Sequence, residues 1–213
     1  AMSGIYVPYW TFDAQTETDY RGQRGDHYYE TQTRVRDGKT ETVQVRKTRW
    51  RPVRGHVARF FDDVLVLASK SLPKRYTDAL EPWDLKALVT YQPQFLSGFR
   101  AEGYQVQLEE GMEEARAIMD SVIVQDIRRD IGGDEQQISS KQTQISDVTF
   151  KHVLLPVWLA AYKYNNKTFR FVVNGQTGKV RGERPWSVVK ITLAVIAALS
   201  VAGAVAYVYS QTQ

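Results

Sequence analysis

Three patterns of hydrophobic and polar positions follow one another along the chain. The first is alternation. Residues 5–13, IYVPYWTFD, mix β-branched and aromatic side chains and predict a strand, with Pro8 marking an edge position or a bulge. A polar strand is expected around residues 17–20. Residues 27–36 and 40–50 then flank Asp37-Gly38, a favoured two-residue hairpin turn because both central positions need positive φ. These arms carry Thr, Val and Tyr but few large apolar residues, so the hairpin is expected to project into solvent at its tip. Strands are predicted over 56–61 and 64–68 around Asp62-Asp63. Short helices are predicted over 73–80 and 82–89, each with Pro near its first turn.

The second pattern is helical. From Leu108 to Arg129, the residues Met112, Ala115, Ile118, Met119, Val122, Ile123 and Ile127 recur at three- and four-residue spacing. Four Glu lie in its first turns and Arg128 and Arg129 at its end, which suits the helix macrodipole. Gly132-Gly133 should stop it. The stripe reads as the face that covers a sheet, with docking of a partner helix as the alternative. Alternation then returns over 144–153, 154–164, 168–173 and 179–181, with Asn165-Asn166 and Asn174-Gly175 as turns. IYVPYW near the start and LLPVWL near the end share an apolar-apolar-x-Pro-x-Trp-like pattern, a weak internal echo.

The third pattern is an uninterrupted apolar run from Ile191 to Tyr209. As a helix it would span roughly 29 Å, close to the thickness of bilayer hydrocarbon. Lys179, Arg181, Arg184 and Lys190 precede it and only Ser-Gln-Thr-Gln follows, so the positive-inside rule places the rest in the cytoplasm. The expectation is a single-pass, tail-anchored protein of the inner (cytoplasmic) membrane. Ala194, Ala198, Ala202 and Ala206 recur at four-residue spacing and form a candidate helix-packing stripe for a homo-oligomer or a partner's helix. The start, Ala-Met, carries no signal-peptide pattern and reads as an internal start, so an upstream segment is expected. The expected organisation is a cytoplasmic α+β domain over 1–185 and a C-terminal transmembrane anchor over 186–213. The first would be an antiparallel β-rich domain with intervening helices.

Chemistry narrows the function classes. The chain has no Cys, which excludes disulfides, thiolate nucleophiles and Cys-ligated zinc within it. His27, His56 and His152 are widely separated, without metal-site spacing, so no metal or cofactor is expected. NGQTGK at 174–179 looks like a phosphate loop but has Val173 and Val180 where such a loop needs Gly and Ser or Thr; a hairpin turn fits better. Asp134 and Glu135 in IGGDEQ are adjacent loop carboxylates, which seldom converge for acid–base work. No Ser-His-Asp arrangement, GxSxG elbow or dinucleotide fingerprint is present, and no catalytic residue is assigned.

Net charge is a mild +4. The basic residues cluster in the hairpin over 28–54: Arg34, Arg36, Lys39, Arg46, Lys47, Arg49, Arg51 and Arg54. They read either as a basic finger for anionic lipid head groups or an acidic partner, or as charges that keep an edge from aggregating. Nucleic acid is the less favoured partner, because the overall basic bias is small.

Several strings together carry a family resemblance: YVPYWTFDA, KTRWRPVRG, FFDDVLVLAS, LEPWDL, GFRAEGY, DIGGDEQ, LLPVWLAAYKY and VVNGQTGKVRGERPWS. The chain resembles a group of uncharacterised bacterial membrane proteins with TFIIB-type zinc ribbons. Their genes lie beside those of phage-shock-protein-A-like and flotillin-like (SPFH) proteins. Some relatives are labelled primosomal protein or superfamily II helicase, and this chain has neither the Cys-rich ribbon nor an ATP-binding loop. The resemblance implies a non-enzymatic, membrane-anchored interaction or scaffold role in bacterial envelope maintenance, with phage-shock-protein-A-like or SPFH proteins as partners. The alternative is a module that binds anionic lipid or nucleic acid through the basic hairpin 28–54.

Overall fold

The structure is a computed structural model that describes residues 2–36, 39–183, 192–193, 196–203 and 209, without the side chains of 34–36, 39 and 41. In chain order the elements are β1 (Met2–Arg36), β2 (Lys39–Leu67), α1 (Lys74–Thr77), β3 (Arg100–Ala101), α2 (Leu108–Ile131), β4 (Glu135–Tyr164), β5 (Lys167–Asn174) and β6 (Val180–Gly182). One sheet holds every strand, in the order β2-β1-β4-β5-β6, and β3 pairs parallel to β1 at Ile5 and Tyr6. All other pairings are antiparallel.

This corrects the expected fold class. The molecule is a mostly antiparallel sheet crossed by one long helix, rather than an α+β domain ending in a transmembrane helix. Among the described residues no helix is long and apolar enough to cross a membrane. Residues 192–193 and 196–203 are helical, while 191, 194–195 and 204–208 lie outside the described residues. The transmembrane, tail-anchored and inner-membrane expectations are therefore not supported. Of the alanine stripe, Ala198 and Ala202 are helical and exposed, and Ala194 and Ala206 lie outside the described residues.

The strands are also far longer than the patterns predicted. The separate strands expected over 5–13, 17–20 and 27–36 are one continuous β1, and those over 40–68 are one β2. A β ladder is made by backbone groups, so a polar stretch or an isolated breaker need not end it. Pro52 sits in the edge strand β2, where a missing N–H is tolerated. Pro8 sits just past the end of β2. The Ala68 N–H donates to the Pro8 carbonyl at 2.9 Å, so the Pro8 nitrogen faces that same side, in the gap between the end of β2 and β3. The echoing segments lie side by side, with Tyr6 opposite Pro156 and Gly4 opposite Trp158. Asp37 and Gly38, the predicted turn, lie outside the described residues. The helices expected over 73–89 are reduced to α1 and short 3₁₀ turns at Asp78–Leu80 and Leu85–Ala87.

Two cores sit on opposite faces of the sheet. On one face α2 lies across β1 and β2, burying Ala115, Met119, Ile123 and Ile127 against Phe12, Ala14 and Tyr20 of β1 and Val66 of β2. The Trp10 indole N–H donates to the Val106 carbonyl at 2.9 Å and anchors the approach to the helix. Gly111 lets α2 come this close: a Cβ there would stand 2.9 Å from the Trp10 ring. Gly132, with φ 64°, ends the helix in the left-handed region that favours glycine. On the other face, the segment after β2 lays Leu80, Trp83 and Leu85 over Ile5, Val7, Leu155 and Val172. Asn174 is the staple there. Its fully buried side chain donates to the carbonyls of Leu80 and Pro82 and accepts from the backbone N–H of Gln176 and Thr177.

Candidate functional site

β4 begins at Glu135, opposite Gly25, so β1 loses its β4 neighbour from Asp26 outward. Beyond that point β1 and β2 continue alone as a two-stranded arm, Asp26 pairing with Arg49 and Arg36 with Lys39. Eleven paired residues at strand rise give it a length of roughly 35 Å. Among the described residues, none of 26–49 belongs to either core cluster.

The branch point is held by the two carboxylates that follow the helix. The Asp134 carboxylate accepts from the His27 backbone N–H at 2.7 Å. Glu135 Oε1 meets His27 Nε2 at 2.6 Å and accepts from Thr48 Oγ1 at 2.9 Å. The hydrogen bond from His27, then that from Thr48, holds the Glu135 carboxyl below its usual range. The adjacent carboxylates of IGGDEQ therefore clamp the root of the arm and are spent on structure.

Charge is concentrated here. Residues 26–54 hold eight Lys and Arg against four Asp and Glu, and the remainder of the chain holds twenty of each. The whole net charge of the protein thus resides on the arm and its root. Part of it is internally paired. Asp26 accepts from Arg24 at 2.9 Å and from Arg51 at 2.6 Å, and these bonds, Arg24 first, pull its carboxyl below the usual range. Lys47 pairs with Glu30. Arg49 lies over the Tyr28 ring, 5.1 Å from its centroid. Arg46 and Arg54 have no ion pair among the described residues, and Arg46 stands opposite the exposed Tyr29. Arg34, Arg36 and Lys39 occupy strand positions near the tip, and their side chains lie outside those the structure describes. Arg54 belongs to the three-stranded body rather than the arm.

Elsewhere, Asp13, Asp62 and Asp63 bring three carboxylates within 4.8 Å of one another at the bulge in β1. Lys151 reaches Asp63 at 3.0 Å and Asp13 at 3.5 Å, and Asp13 also accepts from the Asp63 N–H and Thr149. A lysine therefore already supplies the positive charge a cation would bring. An apolar cavity of about 590 Å³ lies between the 87–96 segment and β4, lined by Tyr6, Leu88, Tyr91, Phe95, His152 and Pro156 among others. Burial pushes the His152 pKa down, which keeps its imidazole neutral. Among the described residues no Ser, Thr, Lys or carboxylate side chain lines that cavity. NGQTGK forms the turn between β5 and β6, with Asn174 turned inward to the Leu80 and Pro82 carbonyls.

The hairpin arm predicted over residues 27–36 contains His27 and Tyr29, but sequence reasoning did not join His27 to Asp134 and Glu135, did not set Tyr29 opposite Arg46, and did not single out Arg21. The signal was available. Extending a two-residue turn at Asp37-Gly38 strictly along the ladder places Tyr29 opposite Arg46 and Arg21 opposite Arg54, as the structure has them.

The chain is similar to the uncharacterized protein YdjG of Bacillus subtilis (strain 168), with 30% identity over 189 residues, covering 88% of this chain and 53% of that protein. It thus spans about half the length of that relative. No family model matches the chain, and no solved structure matches it.

Proposed function

We propose that the chain is a non-enzymatic interaction module that gathers an acidic partner protein through its projecting arm. The observation that carries this reading is the arm itself. An isolated two-stranded ribbon is marginal in water, and this one extends past both cores while holding, together with its root over residues 50–54, the protein's entire net positive charge. A feature that adds little to folding but presents aromatic and basic side chains on a lever is suited to recognition. The resemblance to proteins whose genes lie beside those of phage-shock-protein-A-like and SPFH proteins makes those the partners to try first, in a role in bacterial envelope maintenance.

The test is binding of purified phage-shock-protein-A-like and SPFH proteins to the intact chain and to a variant carrying Arg46→Glu, Lys47→Glu and Arg49→Glu. Charge reversal should weaken association and flatten its salt dependence. Equal binding by both forms would remove the arm from the interface.

A second reading is favoured by the interleaving of Tyr28 and Tyr29 with Arg46 and Arg49, an arrangement that also suits anionic lipid head groups or the bases and phosphates of nucleic acid. Binding of vesicles rich in phosphatidylserine, or of single-stranded oligonucleotide, that the same variant abolishes would favour it over a protein partner.

A further inference from the structure

Arg21 and Arg54 face each other directly across the β1–β2 ladder. Their neighbours Tyr20 and Gly55 point at α2: the Tyr20 hydroxyl donates to Asp130, and a Cβ on Gly55 would meet that same pair. Alternation along the strands therefore turns Arg21 and Arg54 to the opposite, uncovered face of the sheet, where both are exposed. Like charges directly opposite one another in a sheet repel.

The protein meets the same conflict three residues away and resolves it. Arg24 and Arg51 are also direct cross-strand partners. There the Asp26 carboxylate accepts from Arg24 Nε at 2.9 Å and from Arg51 Nη2 at 2.6 Å, so one shared anion cancels the repulsion. Among the described residues no carboxylate does this for Arg21 and Arg54. Asp19, one pleat along, has its Oδ1 2.9 Å from His56 Nδ1. Beside the two guanidiniums stand groups able to donate, Ser140 opposite Arg21 on β4 and Gln142 opposite Asp19, while the Asp19 carboxylate on the same face is engaged with His56. These residues line a shallow depression of about 730 Å³.

We propose that this depression binds a phosphate monoester, with its oxygens between Arg21 and Arg54 as the Asp26 carboxylate lies between Arg24 and Arg51. A phosphate monoester suits the place better than a carboxylate. It brings close to two negative charges and three terminal oxygens, enough to occupy both guanidinium forks and the Ser140 hydroxyl together. The group arrives either on a soluble ester or on a lipid head group, since both present the same chemistry to the sheet. The site belongs to the three-stranded body and is independent of what the arm binds.

The experiment uses the full chain with two probes. One is glycerol phosphate; the other is phosphatidylcholine vesicles containing phosphatidic acid, with phosphatidylserine vesicles as the diester control. Glycerol phosphate should raise the unfolding temperature and shift the backbone amide resonances of Arg21, Arg54 and Ser140. In the Arg21→Gln, Arg54→Gln variant the affinity should fall by about tenfold or more, as expected when charge-assisted bonds are removed. Without ligand that variant should unfold no earlier than the parent, because the repulsion is gone, which separates a lost site from a lost fold. Binding to phosphatidic acid vesicles over phosphatidylserine vesicles, lost in the same variant, places the site on a membrane lipid; a response to the soluble ester alone places it on a metabolite. No response to either probe overturns the proposal. So does a response that Arg21→Gln, Arg54→Gln leaves intact and the arm substitutions remove.

Discussion

The same strand serves two different regions. Over residues 4–22 most positions of β1 are buried, those of 7–12 on both faces, beneath α2 or beneath the segment that follows β2. Over residues 26–33 none is buried. The backbone ladder with β2 runs through both without interruption from Ala14 outward. Hydrogen bonds to a neighbouring strand therefore do not distinguish a body from an arm. What distinguishes them is a covered face, because backbone bonds replace bonds to water at little net gain while apolar burial has no equal in the open chain.

The comparison is sharpest where burial is greatest. Ile123 is 2% exposed at the centre of the helix–sheet core. Ile123→Ala should destabilise the protein by about 3 kcal/mol in denaturant unfolding, whereas Val45→Ala on the arm should cost under about 1 kcal/mol. Equal losses would mean that the arm and the body fold on the same terms.

Next in size is the far end of the body. Asn174 is 1% exposed and makes four hydrogen bonds to backbone groups. Asn174→Ala leaves those carbonyls and N–H groups without it and should cost about 2–3 kcal/mol, while protection of arm amides from hydrogen exchange stays as it was. Loss of arm protection in that variant would tie together regions that the comparison holds apart.

Gly111→Ala decides between local propensity and packing. Propensity alone favours Ala in a helix by about 1 kcal/mol. Packing opposes it, because the new Cβ would sit 2.9 Å from a Trp10 ring that the Val106 carbonyl holds in place. The net should be a loss of about 1 kcal/mol, as overpacking costs exceed the gain. A stabilised variant would show that α2 rides loosely on the sheet.

The smallest effect is a pH difference. Arg59 donates twice to Asp126, at 2.5 and 2.7 Å, beneath α2, and these bonds hold the Asp126 carboxyl below its usual range. The folded state thus favours the ionised form. The stability this contributes is present above the ordinary value of 3.8 and lost as pH falls through the lower, folded value. Asp126→Asn should flatten the acid limb of the stability profile by about 1 kcal/mol, a modest figure because Arg59 is partly solvated. Glu30, paired with Lys47 on the arm, is also shifted down, yet Glu30→Gln should leave the acid limb unchanged because water screens that pair.

How much of this could be read from the chain depends on how local each feature is. The amphipathic helix was legible because its period is written in its own residues. Ala115, Met119, Ile123 and Ile127 fall on the buried face as spaced, although Ile118 ends up exposed. The clustering of positive charge between residues 28 and 54 was legible for the same reason. The candidate anion site was not, since Arg21 lies outside that cluster and meets Arg54 only through the register of β1 and β2. The apolar run over 191–209 reads as a membrane span from hydropathy, length and flanking charge, whereas among the described residues no helix is long and apolar enough to cross a membrane.

By itself, then, the sequence determined where side chains repeat, where charge gathers and which turns glycine and asparagine can make, for these depend on near neighbours. Only the tertiary structure decided that six predicted strands before residue 68 are two, that Asp134 and Glu135 clamp His27 and Thr48, and that Asn174 faces inward rather than toward a phosphate. The physical reason is that a β ladder and a buried hydrogen bond take their partners from residues tens to more than a hundred positions away, and no local pattern records which of them will be opposite.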